Sequence, residues 1–382
     1  MNLLFAEHTH YNSLFKVGCH HLSKAFAKKG HSVTYISHCI SPLHPYMLFT
    51  PYKKDILQRF RYFFSGGIEE EHSIFSYVPF SLIPIIRNPF TDNKFIAGNH
   101  LKFSLPNIAR WLKKRGPFDA VFIGDPQFTP LTDMIDAKKF IFRLTDFATE
   151  FDKAPDVDHY FINYGIEKCD EIIVTSNPIR EELRKKTDKT VHYVPNGADI
   201  GHFTSKTTNT PSILKEIPHP RAIYVGAIES WFDIETLRHC VVSLPEVQFV
   251  IIGPPRINIS DMKQYKNLHF LGAKPYNDIP AFLKSCDIGI IPFKRNALVQ
   301  GVSPIKLYEY MACGLPVIAS SWKELELLKS PANLAHSKEE FADLIQIAIN
   351  SAVKPDLFIN YAKDNSWEKR ANTIASIAGI KL

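Results

Sequence analysis

The sequence predicts an α/β protein made of two doubly wound, Rossmann-like domains that face a central cleft. Short β-rich runs alternate with helical patterns along the chain, which is typical of parallel sheets flanked by helices. With 382 residues, of which 45% are hydrophobic, the chain can build two cores. A run rich in turn formers at 194–199 suits the link between them. We therefore expect domains at 1–193 and 200–365.

Ten apolar runs carry the strand predictions, five in each half. They are 3–6, 33–37, 120–123, 140–143 and 172–175, followed by 222–225, 248–252, 268–271, 288–291 and 317–319. A helix is predicted at 14–29 because apolar residues recur at helical spacing before Gly30. The segment 40–100 has little period and is interpreted as an irregular insertion. Ligands of such sheets bind beyond the carboxyl ends of the strands, so the chemistry is expected in the cleft.

Several classes of protein are disfavoured by what the sequence does not contain. The six cysteines form no C-x-x-C pair or zinc-ligand spacing, which favours a reduced, cytoplasmic setting. Residues 2–6 are apolar but lack the basic region of a signal peptide, and no apolar run approaches the roughly 18 residues of a membrane span. Neither a dinucleotide fingerprint nor a phosphate-binding loop with Gly-Lys-Ser/Thr is found.

The net charge of +6 is unevenly distributed. Residues 16–115 contain 15 Lys and Arg against 5 Asp and Glu, whereas 116–172 contain 5 against 12. Within the basic part, 52–64 interleaves cations with aromatic residues, a mixture that suits an anionic membrane surface. A solvated helix with a few core aromatics is the alternative. No nucleic-acid motif accompanies the charge, so no nucleic-acid partner is expected.

The segment 303–317 has the features of a diphosphate site. Ser303 suits a helix N-cap and Pro304 the first helical position, which leaves free N–H groups at an end that favours anions. Lys306 in the first turn adds a positive charge, and the Glu309 carboxylate can accept the hydroxyls of a ribose. The alternative is a surface ion pair between Lys306 and Glu309.

This segment resembles the nucleotide-binding helix of GT-B glycosyltransferases. Residues 194–199 resemble the hinge of the same superfamily, and 272–280 resemble the loop beside the nucleotide base. The resemblance implies the GT-B fold, a UDP-sugar donor and donor contacts from Lys274 and Tyr276. Retaining members carry a glutamate where this chain has Gly301, so a retaining mechanism is in doubt.

A closer resemblance is to the inverting, membrane-associated β-glucuronosyltransferases of xanthan assembly and to teichuronic-acid-type transferases. It rests on the blocks 142–146, 225–233 and 303–306. It implies inverting transfer of glucuronic acid or a hexose from a UDP-sugar to a saccharide acceptor that is polyprenyl-linked, in assembly of a capsule, exopolysaccharide or wall polymer. It also implies a peripheral protein on the inner face of the plasma membrane, with the acceptor in the first domain and a helix at 366–382 packing back on that domain.

An inverting transferase needs a general base near the acceptor. In the resembling enzymes the Asp of the Arg-x-x-Asp block is the base, which assigns that role to Asp146; capping of the next helix is the alternative. His20 is the second candidate, because an imidazole titrates near neutral pH. His8 and His21 are expected on the acceptor side, although packing roles are open for each.

Two further features complete the predicted site. Gly226 is expected to give the diphosphate access to the backbone, and Trp231 to contact the donor sugar; a buried aromatic pair with Asp233 as a helix cap is the alternative for the latter. Asp156 and Asp158 spell the Asp-x-Asp metal motif of the GT-A fold, but GT-B enzymes are expected to stabilise the diphosphate with cations and helix dipoles. No metal and no cofactor are therefore predicted.

Three other functions stay open from the sequence. A retaining GT-B transferase would use the same donor. A UDP-sugar 2-epimerase of the same fold would need no acceptor. A catalytically silent GT-B subunit would only bind a partner.

Overall fold

The computed structural model describes residues 1–50, 52–84, 93–145, 156–205 and 209–381. The chain divides into two compact units, one of Met1–Pro195 with Arg370–Leu382 and the other of Asn196–Lys369. The boundary falls inside the turn-rich run 194–199. None of the helices in these ranges has the length and hydropathy to cross a bilayer, and all six cysteines are free.

The first unit is built on an eight-stranded sheet in the order β10-β9-β8-β7-β1-β2-β4-β3, parallel except for β3. A separate two-stranded ladder joins β5 to β6. The strands are β1 (Asn2–Glu7), β2 (Ser32–Ser37), β3 (Ile68–Glu69), β4 (Ile74–Tyr77), β5 (Phe80–Ser81), β6 (Ser104–Leu105), β7 (Ala120–Ile123), β8 (Phe140–Leu144), β9 (Glu171–Val174) and β10 (Val191–Tyr193). The helices are α1 (Gly18–Lys28), α2 (Lys53–Phe64), α3 (Lys94–Asn99), α4 (Ile108–Lys113), α5 (Asp156–Lys168) and α6 (Asn177–Arg184).

The strand order places the switch point of this sheet between β1 and β7. The chain leaves β1 for β2 on one side and later returns to β7 on the other side of β1. Helices therefore diverge at this place, and the crevice beyond the two strand ends is where a doubly wound sheet binds its ligand. Residues that directly follow β1, β2 and β7 are the ones to inspect for chemistry.

The second unit has a six-stranded, all-parallel sheet in the order β13-β12-β11-β14-β15-β16. Its switch point lies between β11 and β14 for the same reason. The strands are β11 (Arg221–Val225), β12 (Gln248–Ile252), β13 (Leu268–Gly272), β14 (Ile288–Ile291), β15 (Val317–Ser320) and β16 (Asn333–Ala335). The helices are α7 (Ile200–Phe203), α8 (Ile234–Ser243), α9 (Ile279–Lys284), α10 (Ala297–Gln300), α11 (Ile305–Ala312), α12 (Lys323–Leu328), α13 (Lys338–Asn350) and α14 (Pro355–Asp364), and α15 (Trp367–Ala378) leads back to the first unit.

All ten predicted strands are present, within one or two residues of their expected bounds. The predicted helix at 14–29 begins later, at Gly18. The interpretation of 40–100 as irregular was wrong for its described part. That part contains α2, and it contains β4, which is buried and pairs in parallel with β2.

A tyrosine fixes helix α11 to the switch point of the second sheet. The Val225 amide, at the end of β11, donates a hydrogen bond of 2.7 Å to the Tyr310 hydroxyl. The Tyr310 ring lies over Gly289 of β14, where a Cβ would come within 2.4 Å of it. Glycine at 289 is therefore what allows the helix to reach both central strands.

We expect Gly289→Ala to lower the free energy of unfolding by about 1–3 kcal/mol, because the added methyl group displaces a fully buried ring. Urea denaturation of the two proteins measures this. Gly201→Ala is the control, since a Cβ there meets nothing closer than 3.7 Å. Equal stability of Gly289→Ala and wild type would contradict the packing described.

Candidate functional site

The switch point of the second sheet is occupied by Gly226 and Lys306. Gly226 directly follows β11 and has a φ of +151°, which side chains rarely tolerate. A Cβ at this position would lie 3.0 Å from the Tyr224 hydroxyl oxygen and 3.3 Å from Lys306 Nζ. The missing side chain thus makes room for the lysine ammonium beside the backbone.

The Lys306 ammonium is held by aromatic rings. Its Nζ lies 4.9 Å from the centroid of the Phe293 ring and 5.4 Å from that of Tyr224. Such contacts attract a cation to the ring faces. In the described part of the chain no salt bridge joins Lys306 to Glu309, so the interpretation as a simple surface ion pair fails. Burial lowers the pKa of Lys306 to about 8, which the Glu309 carboxylate partly opposes.

Glu309 lies one turn further along α11 and is also half-buried. Burial raises the pKa of its carboxyl to about 7; Lys306 opposes this shift and Asp199 adds to it. Both charges are thus only partly compensated by the protein. Both side chains lose hydrating water on burial. A ligand with an anionic group beside Lys306 and hydroxyl groups beside Glu309 would replace that water.

The start of α11 differs from its prediction. The helix begins at Ile305 with Pro304 at the N-cap, which has no side chain to donate or accept. Ser303, predicted as the cap, is buried and is bonded to Asn196 instead. The Asn196 amide donates to the serine Oγ (3.3 Å), and its side-chain Nδ2 donates to the serine carbonyl (2.7 Å). These two hydrogen bonds therefore connect Asn196, the first residue of the second unit, to the start of α11, the helix that carries Lys306.

The loop after β13 brings Tyr276 towards the same helix. The Tyr276 ring stacks on His202 with a centroid distance of 4.4 Å, and burial raises the pKa of its hydroxyl, with Glu309 and Asp199 adding to the shift. Lys274 is half-buried, and its Nζ lies 5.9 Å from the Phe282 ring centroid. The predicted nucleotide contacts of these two residues stay predictions.

The aromatic segment after β11 has mainly a packing role. Phe232 is fully buried against Tyr224, and Asp233 caps α8 by accepting the amides of Glu235 and Thr236, both at 3.1 Å. The alternative of a buried aromatic with a helix cap is thus correct for these two residues. Trp231 is half-buried at the edge of the core, and its contact with a donor sugar stays a prediction.

A second polar cluster lies at the switch point of the first sheet, and the sequence did not reveal it. Glu7 ends β1 and Asp125 follows β7; both are buried. Gly124 leaves the space for the Glu7 carboxyl, since a Cβ there would come within 2.0 Å of Oε2. His38 follows β2, and its Nδ1 lies 3.8 Å from Asp125 Oδ2. Glu7, His38 and Asp125 thus lie at or just beyond the carboxyl ends of the three strands named above, and only the strand order shows that these ends are neighbours.

Burial raises the pKa of Glu7 to about 8. The Arg143 guanidinium opposes this shift, and the neighbouring Asp125 carboxylate adds to it. Two carboxyl groups that share a buried site cannot both be ionised cheaply. At neutral pH the Glu7 carboxyl therefore keeps its proton.

The predicted histidines have different surroundings. His20 is buried; its Nδ1 accepts the Val17 amide (3.0 Å) and its Nε2 lies 3.1 Å from the His10 carbonyl oxygen. Burial also lowers its pKa. Both ring nitrogens of His20 are thus engaged near the start of α1, and a role of His20 as a base stays a prediction. His21 is buried on α1, and His8 is exposed directly after β1.

Asp146, the predicted base, lies outside the described residues. Asp156 and Asp158, the Asp-x-Asp pair, belong to α5. Within the described ranges no group of three or more His, Cys, Asp or Glu side chains is placed to hold a metal ion.

Residues 219–351 match the family described as glycosyl transferases group 1. They make up most of the second unit and include β11, α11, Gly226 and Gly289. The match covers residues 219–351 only, and these residues are similar to a group 1 glycosyl transferase domain. The enzyme class predicted from the sequence, a glycosyltransferase, is confirmed for this domain.

Part of the chain is also similar in sequence to a relative from Bacillus subtilis. TuaH of Bacillus subtilis, described as a teichuronic acid biosynthesis glycosyltransferase, is 26% identical over 174 residues, which are 44% of this chain and 44% of TuaH. The match thus spans less than half of that relative. It agrees with the predicted resemblance to teichuronic-acid-type transferases.

Solved structures confirm the GT-B fold over the full length. Sucrose-phosphate synthase of Thermosynechococcus elongatus matches with a TM-score of 0.71 and 16% identity, covering 99% of this chain and 98% of that one. HepE of Anabaena, solved in complex with UDP and glucose, matches with a TM-score of 0.68 and 12% identity, covering 99% of each chain. WaaG, a lipopolysaccharide glycosyltransferase, matches with a TM-score of 0.62 and 12% identity over 98% of this chain and 99% of that one.

We expect Glu7→Gln to raise the free energy of unfolding at pH 8 and to change it much less at pH 5. In wild type the unfolded glutamate releases its proton near its ordinary pKa of 4.5, whereas the folded one keeps it up to about pH 8. The folded state is therefore penalised increasingly as pH rises through this window, and glutamine has no proton to lose. Urea midpoints at pH 5, 6.5 and 8 measure the effect, with the exposed Glu246→Gln as control. A difference that does not vary with pH would show that the Glu7 carboxyl is not shifted.

Proposed function

We propose that the protein is an inverting glycosyltransferase that moves a sugar, glucuronic acid or a hexose, from a UDP-sugar to a saccharide acceptor. The observation that carries this proposal is the Lys306 ammonium beside Gly226, at the switch point of a glycosyl transferase domain. The donor would bind to the second unit and the acceptor to the first. We propose that the acceptor is lipid-linked and that the product is a surface polysaccharide, in line with the description of TuaH.

A diphosphate suits the surroundings of Lys306. The ammonium is partly stripped of water, so an anion that pairs with it gains more than it would at the surface. Gly226 has no side chain to block the approach of a ligand to its backbone, and the start of a helix such as α11 favours an anion. Glu309, one turn away on the same helix, would hold the ribose hydroxyls. UDP bound to HepE, a protein of the same fold, supports this choice of nucleotide.

The reaction would be a single displacement at the anomeric carbon. An acceptor hydroxyl attacks, a general base takes its proton, and the diphosphate leaves with the electron pair of the broken carbon–oxygen bond. Lys306 and the start of α11 would stabilise the negative charge that develops on the diphosphate. Gly301, which takes the place of a retaining enzyme's glutamate, favours inversion. Asp146 stays the predicted base, and independence from metals stays a prediction.

The first unit carries a surface suited to anionic lipid. The predicted stretch 52–64 and the preceding residues 46–50 form this basic aromatic surface, in which Phe49, Tyr46 and Phe64 are 90%, 81% and 79% exposed. Lys53, Lys54 and Arg61 are exposed along α2, whose buried side is formed by Ile56 and Tyr62. Exposed aromatics and lysines together favour the headgroup region of a membrane. We therefore propose a cytoplasmic protein that attaches peripherally to the inner face of the plasma membrane.

We expect Lys306→Ala to weaken binding of UDP and UDP-sugars by about 10- to 100-fold, because a charge-assisted bond to phosphate is lost. Calorimetric titration with UDP-glucose, UDP-glucuronate and a GDP-sugar measures the affinities. It also tests whether the protein prefers uracil to guanine as the nucleotide base. Lys215→Ala, an exposed lysine of the same unit, is the matched control. At pH 8 wild type should also take up about half a proton on binding UDP, since the anion raises the pKa of Lys306.

Unchanged affinity of Lys306→Ala would show that the donor site is assigned to the wrong residues. If wild type bound no nucleotide sugar at all, the proposed activity itself would be wrong.

We expect Lys53→Gln with Lys54→Gln to reduce partitioning onto phosphatidylglycerol-containing vesicles by roughly 30-fold, at about 1 kcal/mol for each lysine near the surface. Sedimentation with vesicles of increasing phosphatidylglycerol content measures the partitioning. The matched control is Lys113→Gln with Lys114→Gln, another pair of exposed lysines in the first unit. Equal losses in the two double variants would indicate only a general charge effect.

A further inference from the structure

We propose that His38, backed by Asp125, accepts the proton of the attacking hydroxyl at the carboxyl edge of the first sheet. This inference rests on the proposed transferase activity and names a group for one of its steps. It differs from the base predicted by resemblance, Asp146.

The position of His38 is set by the central strands of the sheet. Its backbone amide donates to the Glu7 carbonyl (2.9 Å), which fixes it directly beyond β2 and beside the end of β1. Its carbonyl oxygen accepts a bond of 3.2 Å from Arg59 Nη1 of α2. The backbone is therefore held from two sides. The residue stands next to the switch point, where an α/β sheet binds its ligand.

The side chain of His38 combines access with a partner. It is 39% exposed, whereas Asp125 behind it is 7% exposed. Asp125 is itself fixed, because its amide donates to the Ala6 carbonyl (3.1 Å) and its Oδ1 accepts the Gln127 amide (3.0 Å). The remaining oxygen, Oδ2, faces His38 Nδ1 at 3.8 Å. This distance is longer than a hydrogen bond, and such bonds often tighten only when substrate binds.

The groups around the pair include both acids and bases. Glu7 adjoins Asp125, and burial raises the pKa of the Glu7 carboxyl to about 8. Arg143 compensates part of the negative charge from β8. The other titratable or charged groups that face His38 are Arg59 of α2, His44 in the turn before α2, and His100. Burial lowers the pKa values of His44 and His100 to about 4, so Arg59 is the cation among these three, and Asp125 is the carboxyl group that faces the imidazole.

The proposed step moves one proton and exchanges one bond at the anomeric carbon. His38 Nε2 takes the proton of the acceptor O–H while the oxygen forms its bond to the anomeric carbon. The bond from that carbon to the diphosphate oxygen breaks, and its electron pair leaves with UDP. Asp125 stabilises the imidazolium through Nδ1–H, as a buried carboxylate orients a catalytic histidine in other enzymes. The imidazolium then releases its proton to water.

The test uses water as the acceptor, so that no saccharide need be identified. Release of UDP from UDP-glucose and UDP-glucuronate is measured between pH 5.5 and 8.5 for wild type, His38→Gln, Asp125→Asn and Asp146→Asn. His72→Gln is the matched control, because His72 pairs with Glu71 on the surface of the same unit (3.5 Å). Affinity for UDP is measured in parallel, and the His38 ring is titrated by NMR in wild type and Asp125→Asn.

We expect His38→Gln to slow UDP release by about 100-fold or more without changing the affinity for UDP, and to abolish the fall in rate at acid pH. Asp125→Asn should lower the rate by about 10-fold and lower the pKa of the His38 ring, since the adjacent anion is lost. His72→Gln should behave as wild type.

Three outcomes would overturn the inference while the proposed activity stood. They are UDP release by His38→Gln within threefold of wild type, an unchanged His38 titration in Asp125→Asn, and loss of activity in Asp146→Asn alone. Binding of UDP-sugars without any release of UDP would also count against a base at this edge. If wild type bound no UDP-sugar, the proposed activity would fail and the inference with it.

Discussion

The central strands of both large sheets are parallel, and they are buried on both faces. Charged side chains can therefore lie close to the core only where these strands end. In each unit the carboxyl end of the central strands, at the switch point, carries such groups. The second unit places Lys306 and Glu309 there, and the first places Glu7, Asp125 and Arg143. The remaining functional features of the chain follow from this constraint.

Charged side chains at these edges lose hydrating water, and a bound ligand can offset the free energy that this loss costs. The pKa of Lys306 falls to about 8 and that of Glu309 rises to about 7, so neither charge is fully favoured in the free protein. The rings of Tyr224 and Phe293 hold the ammonium but do not neutralise it. Because Tyr310 and Gly289 fix the position of α11, the Lys306 side chain cannot regain water through a shift of the helix backbone. An anionic ligand is thus better suited to this edge than a neutral one.

The fold could be predicted because its central strands are apolar runs of four to six residues with clear boundaries. Strands β10 and β16 were not predicted because a run of three residues is too short to show a strand pattern in the sequence. Ser303 was misjudged as a cap because its tertiary partner, Asn196, lies far away in the sequence. Glu7, His38 and Asp125 were missed for a similar reason. Each lies at the carboxyl end of a different strand, and only the strand order brings the three residues together.

The two edges differ in the charge they can accept. At the edge of the second sheet a cation is incompletely neutralised, which suits a group that gains negative charge, as a leaving diphosphate does. At the edge of the first sheet the Asp125 carboxyl group faces the His38 imidazole, an arrangement that suits a group that gives up a proton. A displacement reaction creates both changes at once, at its leaving group and at its nucleophile. The division of charge between the two sheets is therefore the physical argument that joins the donor proposal to the role of His38.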